Sequence, residues 1–345
     1  MSAEKLVIAL PSKGRLQEQT TQFLNACGFD VRRVGNGREY VSSLVGLDDV
    51  RIVYFRPDEI PTRVEQGDAH AGITGEDLYR EYGDGEPASF LLMPNLGFGR
   101  ARLVVAVPQS WVDVSTMGDL DEAAMLFHQK HGRSLRVATK FARLTRAFLS
   151  ELGIIEYSLV GSMGATEGAP ASGVADFIVD LTSTGTTLAE NHLKEISGGT
   201  VLNTEACLIA SLRGAQWSER AVAALEHLVE QIEARMRAAA QFVLRFSLPA
   251  ATAAAKRKQM AEHGCVPISP DGGADNGRTF IVALCPRTHL NGVVKFLKAS
   301  GAGEIVVDRG EFIFAGASPA FGKFRQMLKG AGAAGAVAPK SAAAQ

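Results

Sequence analysis

None of the four cysteines, Cys27, Cys207, Cys265 and Cys285, stands in a C-x-x-C pair. That spacing offers neither a zinc knuckle nor a disulfide framework, and the four read as small buried apolar residues. No H-E-x-x-H spacing occurs among the seven histidines, which excludes a zincin-type site. No apolar run approaches the roughly 18 residues of a spanning helix. The segment LVIALP after Lys5 is too short for a signal h-region and runs at once into Ser12-Lys13-Gly14-Arg15. A cytoplasmic protein with no membrane partner is the expectation. An excess of one charge is missing too: 36 Lys and Arg face 37 Asp and Glu, a formal net charge of −1, so nothing electrostatic calls for a nucleic-acid partner. Aromatic residues, 7% of the chain, form no ladder on which bases could stack.

What is present is ample core, 46% hydrophobic residues over 345 positions, enough for two or three domains. Residues 5–10 form a buried-strand run, and Leu16, Thr20, Phe23, Leu24 and Cys27 follow at helical spacing until Gly28. Arg51–Phe55, Ala69–Thr74, Leu103–Val107, Leu135–Ala138 and Val174–Leu181 read as further strands, and Ile60–Gln66 as a helix. Gly198-Gly199 marks a break before a run over Val201–Leu212. Regular strand–helix alternation to about residue 210 predicts two mostly parallel α/β sheets, with ligands at the carboxyl ends of their strands. A long helix over Ser218–Ala239 leads to a region that reads β-α-β-β-α-β, a ferredoxin-like order common in small-molecule-sensing modules. From about residue 330 the chain is mostly Gly, Ala and Ser, with Pro339 and Lys340, too poor in core-forming side chains to fold.

The chemistry concentrates in EGAPASGVADFIVDLTSTGTTLAENHLK, Glu167–Lys194. Asp176 and Asp180 flank an apolar run, and the turn Thr182-Ser183-Thr184-Gly185-Thr186-Thr187 follows, with five hydroxyls at a predicted helix start. Backbone N–H groups converging with hydroxyls suit a phosphate. Carboxylates just before them suit ribose hydroxyls or a magnesium ion held through water. Capping and strand termination alone need fewer hydroxyls than this turn carries. Lys13 and Arg15 flank Gly14 where the first strand turns into the first helix, a place for polyphosphate or pyrophosphate. Arg56 ends a strand and suits bidentate phosphate contact, with pairing to Asp58 or Glu59 as the plainer alternative. Arg38, in GNGREY, is a similar candidate. Gly75 and Thr74, in AGITGED, can approach a nucleotide closely, while Glu76 and Asp77 suit the positive end of a helix. Arg136 and Lys140, with Thr139 at the end of the same strand, either add positive charge to that crevice or serve a structural role.

The blocks E-G-A-P, G-x-A-D-x-I-x-D and T-G-x-T-L resemble the pattern of the ATP phosphoribosyltransferase family, the first enzyme of histidine biosynthesis. IALPSKGRL, RPDEIPTRVEQGDAHAGITGEDL, LGFGRARLVVAVP and RVATKFARLTRAF resemble that family's blocks in the same order, and the likeness covers residues 5–212 densely. It implies two periplasmic-binding-protein-like α/β domains in a bilobal catalytic core, one from 1–98 and 190–225, the other from 99–189. It further implies transfer of the phosphoribosyl group of phosphoribosyl pyrophosphate to N1 of ATP, releasing pyrophosphate. Glu167 and Asp180 would hold ribose hydroxyls and Mg2+, and Ser183, Thr184, Gly185, Thr186 and Thr187 would cradle the 5-phosphate. Lys13, Arg15, Arg38 and Arg56 would hold pyrophosphate and the ATP phosphates, and Gly75 would line the ATP site; Asp176 either completes the ribose site or closes the strand that presents Asp180. The chain departs from the family at Phe141-Ala142-Arg143, where Tyr-Pro-Asn is more usual.

Residues 235–316 resemble the regulatory domain of the family's long form, which implies histidine as feedback inhibitor and assembly of dimers into hexamers. Their first strand, QFVLRFSLPA, lacks the acidic residue that long-form members tend to carry near Arg245 or Ser247. Adenine N1 has a free lone pair, so the transfer needs stabilisation of an oxocarbenium-like sugar and of departing pyrophosphate rather than a general base. The residues alone leave two rivals open: a phosphoribosyltransferase for another base, and a non-catalytic ligand-binding regulatory protein.

Overall fold

The computed structural model describes residues 5–33, 41–84, 87–162, 164–213, 217–269 and 276–335. They fall into two compact units, one from the described parts of Met1–Asn25, Phe29–Ala224 and Lys323–Gln345, the other from Ala26–Gly28 and Leu225–Gly322.

The larger unit contains two sheets. The first comprises β1 (Leu6–Pro11), β2 (Asp30–Arg33), β3 (Val41–Val45), β4 (Leu47–Phe55), β5 (Ala71–Gly75), β6 (Ser89–Met93) and β12 (Ala206–Ser211), in the order β2-β3-β4-β1-β5-β12-β6. Every residue of β1 is buried: it is a central strand with parallel neighbours at both edges, and Ile60 and Val64 pack against Val7 and Ala9 on one face. Helix α1 (Gly14–Ala26) follows β1, α2 (Ile60–Gln66) follows β4 and α3 (Glu76–Tyr82) follows β5.

The second sheet comprises β7 (Ala101–Pro108), β8 (Leu135–Thr139), β9 (Tyr157–Gly161), β10 (Phe177–Thr182) and β11 (Leu193–Thr204), in the order β11-β7-β10-β8-β9. Alternation along these strands divides the core between two faces. Leu103, Val105, Val107, Val137, Phe177 and Val179 pack with α4 (Met117–His131) and α5 (Ala142–Glu151). Val104, Ala106, Ala138, Ile178 and Leu193 pack on the opposite side with Leu188 of α6 (Thr186–Glu190).

The strands bearing the candidate residues run parallel, β4-β1-β5 and β10-β8-β9. The remaining pairs, β2-β3-β4, β5-β12-β6 and β10-β7-β11, are antiparallel. The sheets are therefore mixed rather than mostly parallel, since an apolar run records burial and not direction. Gly198-Gly199 is no break: β11 passes through it, and register shifts between Glu195, Thr200 and Leu202 absorb the irregularity. The chain returns to the first sheet after Thr204, not at residue 190. Leu96 N–H donates to the Ala206 carbonyl, and Ala206 N–H to that of Phe98, so the two crossing segments pair.

In the smaller unit, α7 (Glu219–Ala240, from Leu225 on) precedes β13 (Gln241–Pro249), α8 (Ala250–Met260), β14 (Val266–Pro267), β15 (Arg278–Pro286), α9 (Leu290–Ala299) and β16 (Val306–Asp308). The sheet order is β14-β15-β13-β16 with every pair antiparallel, the order expected for a ferredoxin-like module. Its core joins Leu244, Phe246 and Leu248 to Ile281, Ala283, Val293 and Leu297. The tail predicted not to fold from residue 330 is helical to Gly335, in α10 (Pro319–Gly335), and residues 336–345 lie outside the described residues. The apolar residues ahead of that tail account for the helix: Phe324 is fully buried, edge-on to Trp217, which meets His70.

Candidate active site

Parallel β10, β8 and β9 bring their carboxyl ends to one crest, where Asp180, Thr139-Lys140 and Gly161-Ser162 lie. A 3-10 turn over Thr166–Gly168 packs against β10. The buried Thr166 hydroxyl bonds Ser162 Oγ at 2.9 Å, and Ser162 N–H donates to the Thr139 carbonyl at 3.2 Å. Burial raises the Asp180 carboxyl above its ordinary pKa; the Leu181 N–H and the Lys140 charge oppose that, and the neighbouring Glu167 charge adds to it. Glu167 and Asp180 thus form a carboxylate pair within each other's field, with Lys140 beside them.

The hydroxyl turn follows two residues on. Thr182 is buried and its hydroxyl accepts from Gly185 N–H at 2.8 Å, which holds the turn closed from inside. Gly185 has φ +79°, a left-handed conformation that favours glycine. The hydroxyls of Thr184 and Thr186 lie 2.9 Å apart. Those of exposed Ser183 and Thr187 have no partner among the described residues. Of the turn's five hydroxyls, that of Thr182 is therefore structural, while Ser183, Thr184, Thr186 and Thr187, among the residues expected to cradle phosphate, are exposed.

Asp176 and Asp180 part company. Asp176 precedes β10 at the end away from the crest and accepts from Arg136 N–H at 2.7 Å and from the guanidinium groups of Arg133 and Arg136 at 3.0 and 3.1 Å. Burial pushes its carboxyl up, but these donors prevail and hold it at about 2. Asp176 thus belongs to a structural ion-pair cluster rather than to the crest, because β10 carries it and Asp180 to opposite ends. Arg136, at the start of β8, is committed to that cluster and not to the crevice.

On the first sheet, β1 and β4 end together, Ser12 N–H donating to the Phe55 carbonyl at 2.8 Å. Lys13 and Arg15 are exposed there with no partner among the described residues. Arg56 is also exposed but forks onto Asp58 at 2.8 and 3.2 Å, the plainer of its two readings in the ligand-free chain. Arg38 lies outside the described residues. Gly75 ends β5, and a Cβ there would overlap the Asp77 carboxylate. Asp77, 5% exposed and pushed up by burial, accepts from Thr204 Oγ1 at 2.7 Å. The crests meet at the crossover: Gly75 pairs with Ala206, Asn203 with Arg102, and Arg102 with Thr182.

Sequence reasoning overlooked Arg102, Glu195 and Glu81. Arg102 forks onto Glu195 at 2.6 and 2.9 Å, and the Glu195 carboxylate lies 3.6 Å from where a Cβ on Gly185 would sit. A cavity of about 350 Å³ is lined by Asn95, Arg100, Arg102, Ser183, Asn203 and Glu205. Glu81, on α3, accepts from Arg143 N–H and Leu144 N–H at 2.9 Å each and so caps α5, whose N-cap residue Phe141 cannot. The only signal for Arg102 is its period-two spacing from Val104 and Ala106 in the block LGFGRARLVVAVP.

The ATP phosphoribosyltransferase family model matches residues 56–234. An ATP phosphoribosyltransferase of Bradyrhizobium sp. (strain ORS 278) is 40% identical over 94% of this chain and 98% of its own length. One of Nitrobacter winogradskyi is 40% identical over the same shares. Among solved structures, an ATP phosphoribosyl transferase (HisG:HisZ) complex from Thermotoga maritima is 26% identical over 66% of this chain and 98% of that one, with a TM-score of 0.49. With the family model spanning more than half of its length and relatives matched almost end to end, the chain belongs to the ATP phosphoribosyltransferase family, the transferases that open histidine biosynthesis.

Proposed function

We propose that the crest of β8, β9 and β10 is the phosphoribosyl site of this transferase, and that the first sheet's crest binds ATP. The reading is carried by one observation: Asp180, in the field of Glu167, stands two residues ahead of a closed turn that leaves the Ser183 and Thr187 side chains exposed. Ser183, Thr184, Gly185, Thr186 and Thr187 bind the 5-phosphate, and Glu167 and Asp180 bind the ribose hydroxyls. Lys13 and Arg15, unpaired among the described residues, hold pyrophosphate and the ATP phosphates, joined by Arg56 once it leaves Asp58. Gly75 lines the ATP site.

The donor set suits Mg2+. No group of three or more His, Cys, Asp or Glu that could hold a metal occurs among the described residues, and magnesium commonly takes one or two carboxylates, water and substrate phosphate oxygens. Glu167 and Asp180 supply that number; the ion, when bound, would neutralise charge building on departing pyrophosphate. Lys140 and Lys13 add fixed positive charge, and the adenine nitrogen attacks without a proton to remove. A direct assay with ATP, phosphoribosyl pyrophosphate and Mg2+ tests this. Phosphoribosyl-ATP forms, Asp180→Asn and Thr187→Val each lose at least about tenfold in kcat/KM, and chelation stops turnover. An unchanged Asp180→Asn enzyme overturns the site assignment.

Residues 235–316 act as the regulatory domain, binding histidine and favouring assembly of dimers into hexamers in the cytoplasm. Relatives matched over 98% of their length share this region. Support comes from β16, where Asp308, 3.1 Å from Arg245, offers a carboxylate beside the strand that lacks one. Calorimetric titration of histidine with sizing in parallel tests it; no heat and no inhibition at millimolar histidine would reject it.

A further inference from the structure

We propose that Arg102 binds the 5-phosphate of phosphoribosyl pyrophosphate, with Glu195 as its positioning partner, an inference that rests on the hydroxyl turn being the phosphate cradle. Face alternation comes first. On β7, Arg102 shares the side of Val104 and Ala106; on β10, Asp180 shares the side of Ile178; on β11, Glu195 shares the side of Leu193. Those apolar residues belong to one cluster, which includes Leu188 of α6. Arg102, Glu195 and Asp180 therefore occupy the same face of the sheet, the face from which the turn rises.

Reach comes second. Along β11, Glu195 is registered with Ala106, four residues from Arg102, so the arginine extends along the sheet to meet it. The Glu195 carboxylate lies against Gly185, which places the guanidinium beside the turn. Donor count comes third. Glu195 takes two of the guanidinium's five N–H groups, and no other acceptor among the described residues takes the remaining three. The pair is 40% and 29% exposed, and Arg102 and Ser183 both line the 350 Å³ cavity. A planar fork fixed on one edge by a carboxylate keeps its other edge aimed, as phosphate recognition requires. Arg100 also lines the cavity, but it is 75% exposed and bound to Glu205 at 2.8 Å.

The alternative is a cross-strand clamp between β7 and β11. A clamp is symmetric, weakened alike from either side, whereas a phosphate ligand is not. The test measures ribose 5-phosphate binding by calorimetry, KM and kcat for both substrates, and melting, for Arg102→Gln, Arg102→Lys, Glu195→Gln and Thr187→Val. Arg102→Gln should weaken ribose 5-phosphate, and raise KM for phosphoribosyl pyrophosphate, by at least about tenfold, while KM for ATP stays put. Arg102→Lys, which keeps the charge and cannot fork, should fall between. Glu195→Gln, which keeps one acceptor for the guanidinium but loses the second bond of the fork that aims it, should weaken ribose 5-phosphate and raise that KM by less than Arg102→Gln does. Equal losses in Arg102→Gln and Glu195→Gln with equal drops in melting, or no loss in either, overturn the proposal. If Thr187→Val then still weakens ribose 5-phosphate, the cradle stands and only the role of Arg102 falls. If it does not, the cradle itself is misassigned.

Discussion

Replacing Asp176 by alanine separates two aspartates that the sequence placed symmetrically around one apolar run. The Asp176 side chain is 14% exposed and bonded to Arg133 and Arg136, which bring its carboxyl from 3.8 to about 2 despite the opposing effect of burial. At about 1.4 kcal/mol per unit, that difference is worth ~2 kcal/mol of native stability at neutral pH. The folded value lies below the unfolded one, so the full contribution is present above about pH 4 and drains away as the pH falls toward 2. Asp176→Ala should therefore melt about 4–8 °C below the parent at pH 7. The gap should narrow steadily on acidification. The carboxylate serves α/β packing and not the substrate, so kcat/KM at 25 °C should stay within about twofold. Calorimetric melts across pH, read beside initial rates, decide the matter. A hundredfold loss of kcat/KM with an unchanged melt would refute the reasoning and restore Asp176 to the ribose site.

Asp180 should behave in the opposite way. Its carboxyl is raised chiefly by burial, so kcat/KM should fall on acidification with an inflection above that of an ordinary aspartate, and whatever activity Asp180→Asn retains should lack it. Glu81→Ala should cost about 1–2 kcal/mol by uncapping α5, and Glu81→Gln should recover part of it; an unchanged urea midpoint in both would mean water caps the helix equally well. Gly185→Ala meets only ordinary contact at 3.6 Å from Glu195, so its cost is the backbone's, about 1–2 kcal/mol at φ +79°. That should appear as a lower melting midpoint together with weaker ribose 5-phosphate binding.

The elements the sequence revealed are those whose own residues carry the reason for their shape. β1 is apolar throughout because it is buried throughout, α2 spans Ile60–Gln66 as predicted, and the smaller unit follows its β-α-β-β-α-β pattern strand by strand. The hydroxyl turn was legible for the same cause, since Thr182, Gly185 and their neighbours make its hydrogen bonds among themselves. Features that depend on a distant partner were not. β11 is continuous across Gly198-Gly199 because β7 accepts its shifted register, and α10 forms around Phe324 because Trp217 stands more than 100 positions earlier.

The same distinction explains why the sequence alone groups Asp176 with Asp180 and hides Arg102. Four positions on a strand look like neighbours in sequence, yet at about 3.3 Å per residue they lie ~13 Å apart. Asp176 and Asp180 face the same way and serve opposite ends of β10. Arg102 and Glu195 are 93 positions apart and bonded. An ion pair inside a helix is written locally, as with Glu76 and Arg80 in α3, whereas one between strands depends on register and face together. Both the structural carboxylate and the proposed phosphate arginine are set by pairing between strands, so the sequence named the substrate groups while the sheet decided which charges could reach them.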